Sequence, residues 1–370
     1  MTLRIELIDD LKKLSSEDIA QINRLAPHPF LCWEWMGSWL EAFAASYQPF
    51  VLIVREGNET VGVAPWCLER RTAGGRTIVF IGSGKACTDH LTLSVAPQHR
   101  HSVCETIAGW LAGSDGRTRW DMIELIGVDA VDETIAALAQ SMQSVSLPFE
   151  RTEGDPCYAV SLPSSWDEYI HLRSKSGRRE IRQSLKSIDE GTISLVRIET
   201  TDELERYWPD FIALHQKRRD DAGTSNCFEY PHFEQFLRTA AARLLRSGHL
   251  QFLIAFAESK PICAHFAIAD DHAWYFYQSG MDPEMSHLRP GLSVFCHAIR
   301  ESIQSGRTVF DMMRGDEPYK LRWRAEPVAT QQLRAFSPTG RAQVHKQVRQ
   351  TGITFKNLVK HSLGVGTPRT

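Results

Sequence analysis

Trp274-Tyr275-Phe276-Tyr277-Gln278-Ser279-Gly280, then Arg289-Pro290-Gly291-Leu292, then Val309-Phe310-Asp311-Met312-Met313-Arg314-Gly315 form the segment on which the fold turns. The apolar and aromatic runs at 274–279 and 309–313 predict strands, and 291–305 predicts a helix, giving the order strand, loop, helix, strand. Pro290 and Gly291 fall in the first helical turn, where the missing N–H of proline is tolerated. Free backbone N–H groups at a helix start attract an anion, and glycine lets a phosphate come close; the same pair also serves as an ordinary helix start.

Upstream of this segment, helices are expected over 166–173 and 178–190, a strand over 193–198, helices over 202–218 and 230–247, and strands over 250–258 and 261–269. The first half opens on an aromatic helix at 30–43, with Trp33, Trp35 and Trp39 as core residues. Strands follow over 50–55 and 60–69 around Glu56-Gly57-Asn58-Glu59, then over 77–82, 91–95 and 122–126, with helices over 101–112 and 133–143. Both halves run helix, paired strands, then strand–helix–strand, which predicts a duplicated α/β unit with mixed sheets. A chain of 370 residues fits two domains, at 1–155 and 156–335, with a helical insertion near 165–190 and a basic tail over 336–370.

The run from Phe310-Asp311 through Gly315-Asp316-Glu317-Pro318-Tyr319-Lys320 to Trp323 resembles a family ending. So do the residues 277–291 and the basic helix Ser176-Gly177-Arg178-Arg179-Glu180-Ile181-Arg182-Gln183. Together they resemble the GNAT-type acyltransferases of the CelD cellulose-biosynthesis group, relatives of the FemAB peptidyltransferases. The resemblance implies tandem GNAT-like domains with an acyl-donor groove in the second. It also implies transfer from acetyl-CoA or another acyl-CoA to an amine or hydroxyl of a small metabolite or sugar, with envelope or exopolysaccharide synthesis as a setting. In such folds two parallel strands splay and the donor's pantetheine pairs with an exposed edge; here these strands are 274–279 and 309–313. The glycine-rich loop usual in GNAT enzymes is reduced to Arg289-Pro290-Gly291. FemAB relatives use aminoacyl-tRNA, so aminoacyl transfer is an alternative, and a non-catalytic accessory role in polysaccharide synthesis is another.

Acyl transfer needs positioning, a base for the nucleophile and a proton for the departing thiolate. Tyr319 suits proton donation, and Lys320 suits stabilisation of negative charge or a donor phosphate. Asp311 is either a base or the partner of Arg314 or Arg322, and His265 is either a base or a buried neutral imidazole. Tyr277, Arg289, Pro290, Gly291 and Arg314 are the candidate donor-binding residues. Strand alternation directs Tyr277 and Gln278 to opposite faces. Arg178, Arg179 and Arg182 share a helix face suited to phosphate on a substrate, or they are a solvated face. In the first half, Thr88-Asp89-His90 is a polar group at a strand end, and Gly82-Ser83-Gly84-Lys85 lacks phosphate-loop spacing and reads as a turn.

A net charge of −3 gives no global reason to expect DNA, and tRNA enters only through the aminoacyl alternative. No run approaches the length of a membrane span, residues 1–13 lack the apolar core of a signal peptide, and no cysteine falls in a CxxC pair. These features predict a cytoplasmic chain with reduced cysteines and no metal. After Glu326 no acidic residue occurs, so the tail suits weak peripheral contact with an anionic membrane, or is a solvated terminus.

Overall fold

The computed structural model describes residues 2–72, 75–224 and 226–339; most of the basic tail lies outside them. In chain order the first half runs β1 (Leu3–Ile8), α1 (Ser16–Leu25), α2 (Trp33–Ala42), β2 (Tyr47–Pro49), β3 (Val51–Glu56), β4 (Glu59–Ala64), β5 (Trp66–Arg71), β6 (Gly75–Phe80), β7 (Ser94–Val95), α3 (Arg100–Ala112), β8 (Met122–Asp129), α4 (Glu133–Ser144) and β9 (Glu150–Glu153). The second half runs β10 (Cys157–Ser161), α5 (Trp166–His171), α6 (Lys175–Asp189), β11 (Ser194–Arg197), α7 (Thr201–Ala222), α8 (Phe233–Arg246), β12 (Leu250–Ala257), β13 (Lys260–Ala269), β14 (Ala273–Met281), α9 (Pro290–Gln304), β15 (Val309–Arg314), α10 (Tyr319–Arg322), β16 (Glu326–Val328) and β17 (Thr330–Phe336). The strand expected over 60–69 is two strands, β4 and β5, divided at Pro65, a residue with no N–H to give the ladder. That division lets β4 stay in a sheet ordered β1-β3-β4-β7 while β5 joins a second one.

Each half contains the predicted crossover. In the first, β6 and β8 are parallel, paired at Thr77↔Met122 and Ile78↔Ile123. In the second, β14 and β15 are parallel, paired at Ala273↔Val309, Trp274↔Phe310 and Tyr275↔Asp311. Both pairs are otherwise flanked by antiparallel neighbours, in sheets ordered β2-β5-β6-β8-β17-β9 and β11-β12-β13-β14-β15-β10-β16. This is a mixed α/β, tandem GNAT-like architecture.

One strand crosses between the halves, which the proposed boundaries at 1–155 and 156–335 do not capture. β17, at the end of the second half, pairs antiparallel with β8 and β9 of the first. β10 sits between β15 and β16. A ladder position is set by hydrogen-bond partners rather than by chain order, so a cut that divides the sequence cleanly leaves β17 in the wrong sheet. The largest apolar core likewise draws on both halves. Trp35 of α2 meets Phe236 of α8 edge-on with ring centroids 4.8 Å apart, and Tyr277 of β14 at 5.0 Å. Interdigitated aromatics of this kind contribute beyond their buried area. Among the described residues no helix is long and apolar enough to cross a membrane, and all eight cysteines are free.

Candidate active site

Beyond Tyr275↔Asp311 the parallel pair has no further ladder positions, so the edge of β14 that faces β15 lies without a strand partner from 276 onward. A bulge in β14 sharpens the opening: Phe266 opposes Gln278 while Ala267 opposes Phe276, which leaves Tyr277 as the extra residue. The bulge overturns the expectation from strict alternation. Tyr277 packs on Trp35 and Phe266, and Gln278 Oε1 lies 3.1 Å from His215 Nε2 of α7, against the same core.

Two cavities open at the splay. One, of about 280 Å³, lies between β13, β14, α6 and the first turn of α9, and its inner wall is apolar, with Ile181, Phe276, Phe295 and Trp323. The other, a cleft of about 590 Å³, lies between the 84–89 loop of the first half and α7, β14 and the end of β15. Arg218, Phe276, Ser279 and Tyr319 line both. Tyr319 is half-buried at this junction. Burial foremost, then Glu317, raises its phenol above the ordinary value, against the opposing pull of Arg218, so it stays protonated at neutral pH.

The predicted donor residues divide. Gly291 lines the smaller cavity, Pro290 is the first residue of α9, and Arg289 caps that helix in a left-handed conformation with φ 52°. Arg289 Nη1 lies 3.5 Å from Glu180 of α6. Tyr277 and Arg314 are corrected. The Tyr277 hydroxyl donates to Ala86 O at 2.6 Å, which commits it to the first half. The Arg314 guanidinium forks onto Asp89, with Nε 2.7 Å from Oδ1, and its backbone N–H donates to Oδ2 at 3.0 Å. An arginine forked onto a buried carboxylate has its charge already partnered, so it is a weaker candidate for a ligand phosphate.

Lys320 is also corrected. It is buried, and its Nζ donates to the carbonyls of Met313, Arg314 and Gly315 at 2.9 to 3.0 Å, with Glu317 at 3.0 Å. Three N–H bonds spent on backbone make it a clamp for the turn after β15 rather than a charge aimed at substrate. His265 lines the smaller cavity, but its Nε2 accepts from Trp274 Nε1 at 3.1 Å and burial lowers its pKa to about 3. It is a neutral ring stacked on Phe276, not a base. Arg178, Arg179 and Arg182 line neither cavity. The face of α6 turned to the cavity carries Gly177, Glu180 and Ile181 instead, because Ile181 and Leu185 are its buried side.

Asp311 lines neither cavity; its role is a buried ionic junction. Its Oδ1 accepts from Met313 N at 2.6 Å, and its Oδ2 lies 3.2 Å from His90 Nε2, off the line of a good hydrogen bond. His90 Nδ1 lies 2.9 Å from Asp129 Oδ1. Burial opposes the charge on His90, but Asp311 and Asp129 outweigh it and hold the imidazole well above its usual range. A raised folded pKa contributes stability that is complete below the unfolded value near 6.5 and is lost as pH rises through the folded one. The Tm gap between the native chain and His90→Gln should therefore be widest at mildly acidic pH and shrink on the alkaline side. A gap that is flat with pH would show that His90 carries no charge here.

Several site residues escaped the sequence reading. Arg218 and Arg219 sit in Lys217-Arg218-Arg219-Asp220-Asp221, a run that looks like a solvated helix end. Asp89 and His90 belong to a stretch noted only as polar, and nothing local pairs them with residues more than 200 positions away.

Residues 175–321 match the acetyltransferase (GNAT) domain family. Among solved structures the chain is similar to FemX, with TM-score 0.62 and 10% identity over 90% of this chain and 97% of that one. It is also similar to the C-terminal domain of a protein named for lysylphosphatidylglycerol synthesis from Agrobacterium fabrum, with TM-score 0.54 and 9% identity over 90% and 96%. A conserved protein of unknown function from Bacteroides thetaiotaomicron gives TM-score 0.54 and 11% identity over 90% and 100%. No curated protein matches the chain in sequence. The second half thus carries a match to a GNAT acetyltransferase domain over residues 175–321.

Proposed function

We propose that the chain moves an acyl group from a coenzyme A thioester, seated in the cavity between β14, α6 and α9, to an amine or hydroxyl acceptor in the cleft between the halves. The observation that carries this reading is the position of Tyr319, which lines both cavities where β14 and β15 part. The donor supplies an activated carbonyl and a thiolate leaving group. Tyr319 gives its phenolic proton to the departing sulfur and regains one from solvent. Solvent water in the open cleft takes the proton the nucleophile loses. Phe276, Phe295 and Trp323 keep water from the thioester, and the unpaired edge of β14 offers backbone groups to the pantetheine arm.

Titration with acetyl-CoA and longer acyl-CoAs tests the donor, and no binding at millimolar concentration would sink the reading. The first turn of α9 gives a sharper test. A Cβ added at Gly291 meets only Met281 Sδ at 3.6 Å, ordinary contact, so substitution there leaves the fold intact. Gly291→Asp should weaken donor binding by about tenfold or more through like-charge repulsion, while Gly291→Ala should change it little.

Aminoacyl transfer from tRNA is the second reading, favoured by Arg178, Arg179 and Arg182 on the outer side of the helix that walls the donor cavity. Salt-sensitive tRNA binding without acyl-CoA binding would promote it. The CelD grouping and a setting in envelope or exopolysaccharide synthesis rest on the sequence resemblance.

A further inference from the structure

The acceptor cleft is lined by five cations, Lys85, Arg218, Arg219, Arg314 and Lys320, and by two carboxylates, Asp89 and Glu317. Both carboxylates are already engaged, Asp89 by Arg314 and Glu317 by Lys320. Three positive charges are left over, in a chain whose net charge is −3. Lys85 Nζ sits 3.8 Å over the ring of Tyr230, an aromatic face in place of a carboxylate. Arg218 donates to Ser279 Oγ beside Tyr319. Arg219 also lines the cleft, and its Nε is buried with no acceptor.

The structure of α7 explains part of this. Cations in the last turn of a helix are favoured by its dipole, and Arg219 lies in that turn. The dipole does not explain an Nε–H turned away from both solvent and acceptors, since a buried donor left unmet is costly. Asp220, next along the helix, accepts from Gln216 at 2.6 Å and lines neither cavity. An anion arriving in the cleft would meet Arg219 on the side that lines it and would offset the surplus positive charge there.

We propose that this cleft is an anion subsite: the acceptor carries a carboxylate or a phosphate that seats on Arg219, with Arg218 and Lys85 beside it. The proposal rests on the acyl-transfer reading in taking the cleft as the acceptor side. Because Arg218 borders both the cleft and Tyr319, the anionic group and the acylated amine or hydroxyl lie close together in one small molecule. Lys85 comes from the first half, so the subsite is complete only when both halves are in place. That gives the first half a part in substrate selection, in addition to packing.

The test is calorimetric titration of the full chain with inorganic phosphate and, separately, with acetate, at constant ionic strength in chloride. At least one anion should bind, and which one does so identifies the group. Arg219→Gln should weaken that binding by about tenfold or more, Arg219→Lys should recover part of it, and Lys85→Gln should weaken it severalfold. Arg246→Gln, at the exposed end of α8 and lining neither cavity, serves as the control and should behave as the native chain. If neither anion binds, or if Arg219→Gln and Lys85→Gln both bind as tightly as the native chain, the proposal is overturned. An acyl-CoA titration run alongside separates the two ideas. Arg219-dependent anion binding without acyl-CoA binding overturns the donor assignment alone, and the converse overturns the anion subsite alone.

Discussion

Tyr319→Phe should lower kcat by about 10²-fold or more while leaving acyl-CoA affinity within about twofold. The substitution removes one oxygen from a half-buried ring and keeps the ring itself, which continues to wall both cavities. A thiolate that departs without a proton raises the barrier in the transition state only, so the loss belongs in kcat rather than in donor binding. Burial keeps the native phenol protonated at neutral pH, with its titration displaced upward, so the proton is present to be given. The native rate should therefore hold through neutral pH without a falling limb near 7 from this group. If Tyr319→Phe keeps more than about half the native kcat with any acceptor, the proton comes from elsewhere and the role assigned to Tyr319 is wrong.

Arg314→Ala should destabilise the chain by about 3–5 kcal/mol, the range for removing one partner of a buried ion pair. Asp89 is 1% exposed and its carboxylate oxygens are met by Nε, Nη2 and the backbone N–H of Arg314. Truncating the guanidinium leaves that carboxylate buried with a single backbone partner. The pair also joins the 84–89 loop of the first half to the end of β15 in the second, so its loss should loosen the acceptor cleft before the sheets. Chemical denaturation measures the effect. Pairing Arg314→Met with Asp89→Leu should return most of the loss, because an apolar pair removes the stranded charge. A cost under about 1 kcal/mol for Arg314→Ala would show that water reaches Asp89 and that the pair is not a lock.

How much of this was legible in the residues differs from element to element. The helix at 290–304 follows from Pro290-Gly291 at its start and Ser305-Gly306 at its end, and β14 and β15 follow from apolar and aromatic runs of strand length. These are local signals, carried by the conformational limits of single residues and by side-chain periodicity. β17 carries an equally ordinary pattern, and nothing in it says that it crosses to the sheet of the first half. The bulge at Tyr277 defeated strict alternation because its cause is the register against β13, not the composition of β14.

The candidate site shows the same division. Sequence alone was enough to locate the transferase segment, to place Gly291 at a helix start and to nominate Tyr319, since each depends on residues near it in the chain. Tertiary structure alone decided what Arg314, Lys320 and Asp311 do. In isolation each is an available charge; in the fold Asp89, three backbone carbonyls and His90 respectively take it up. It also brought Lys85 and Arg219, 134 positions apart in the chain, into one cleft. A charged side chain is defined by its partner and its access to water, and both are properties of space rather than of order along the chain.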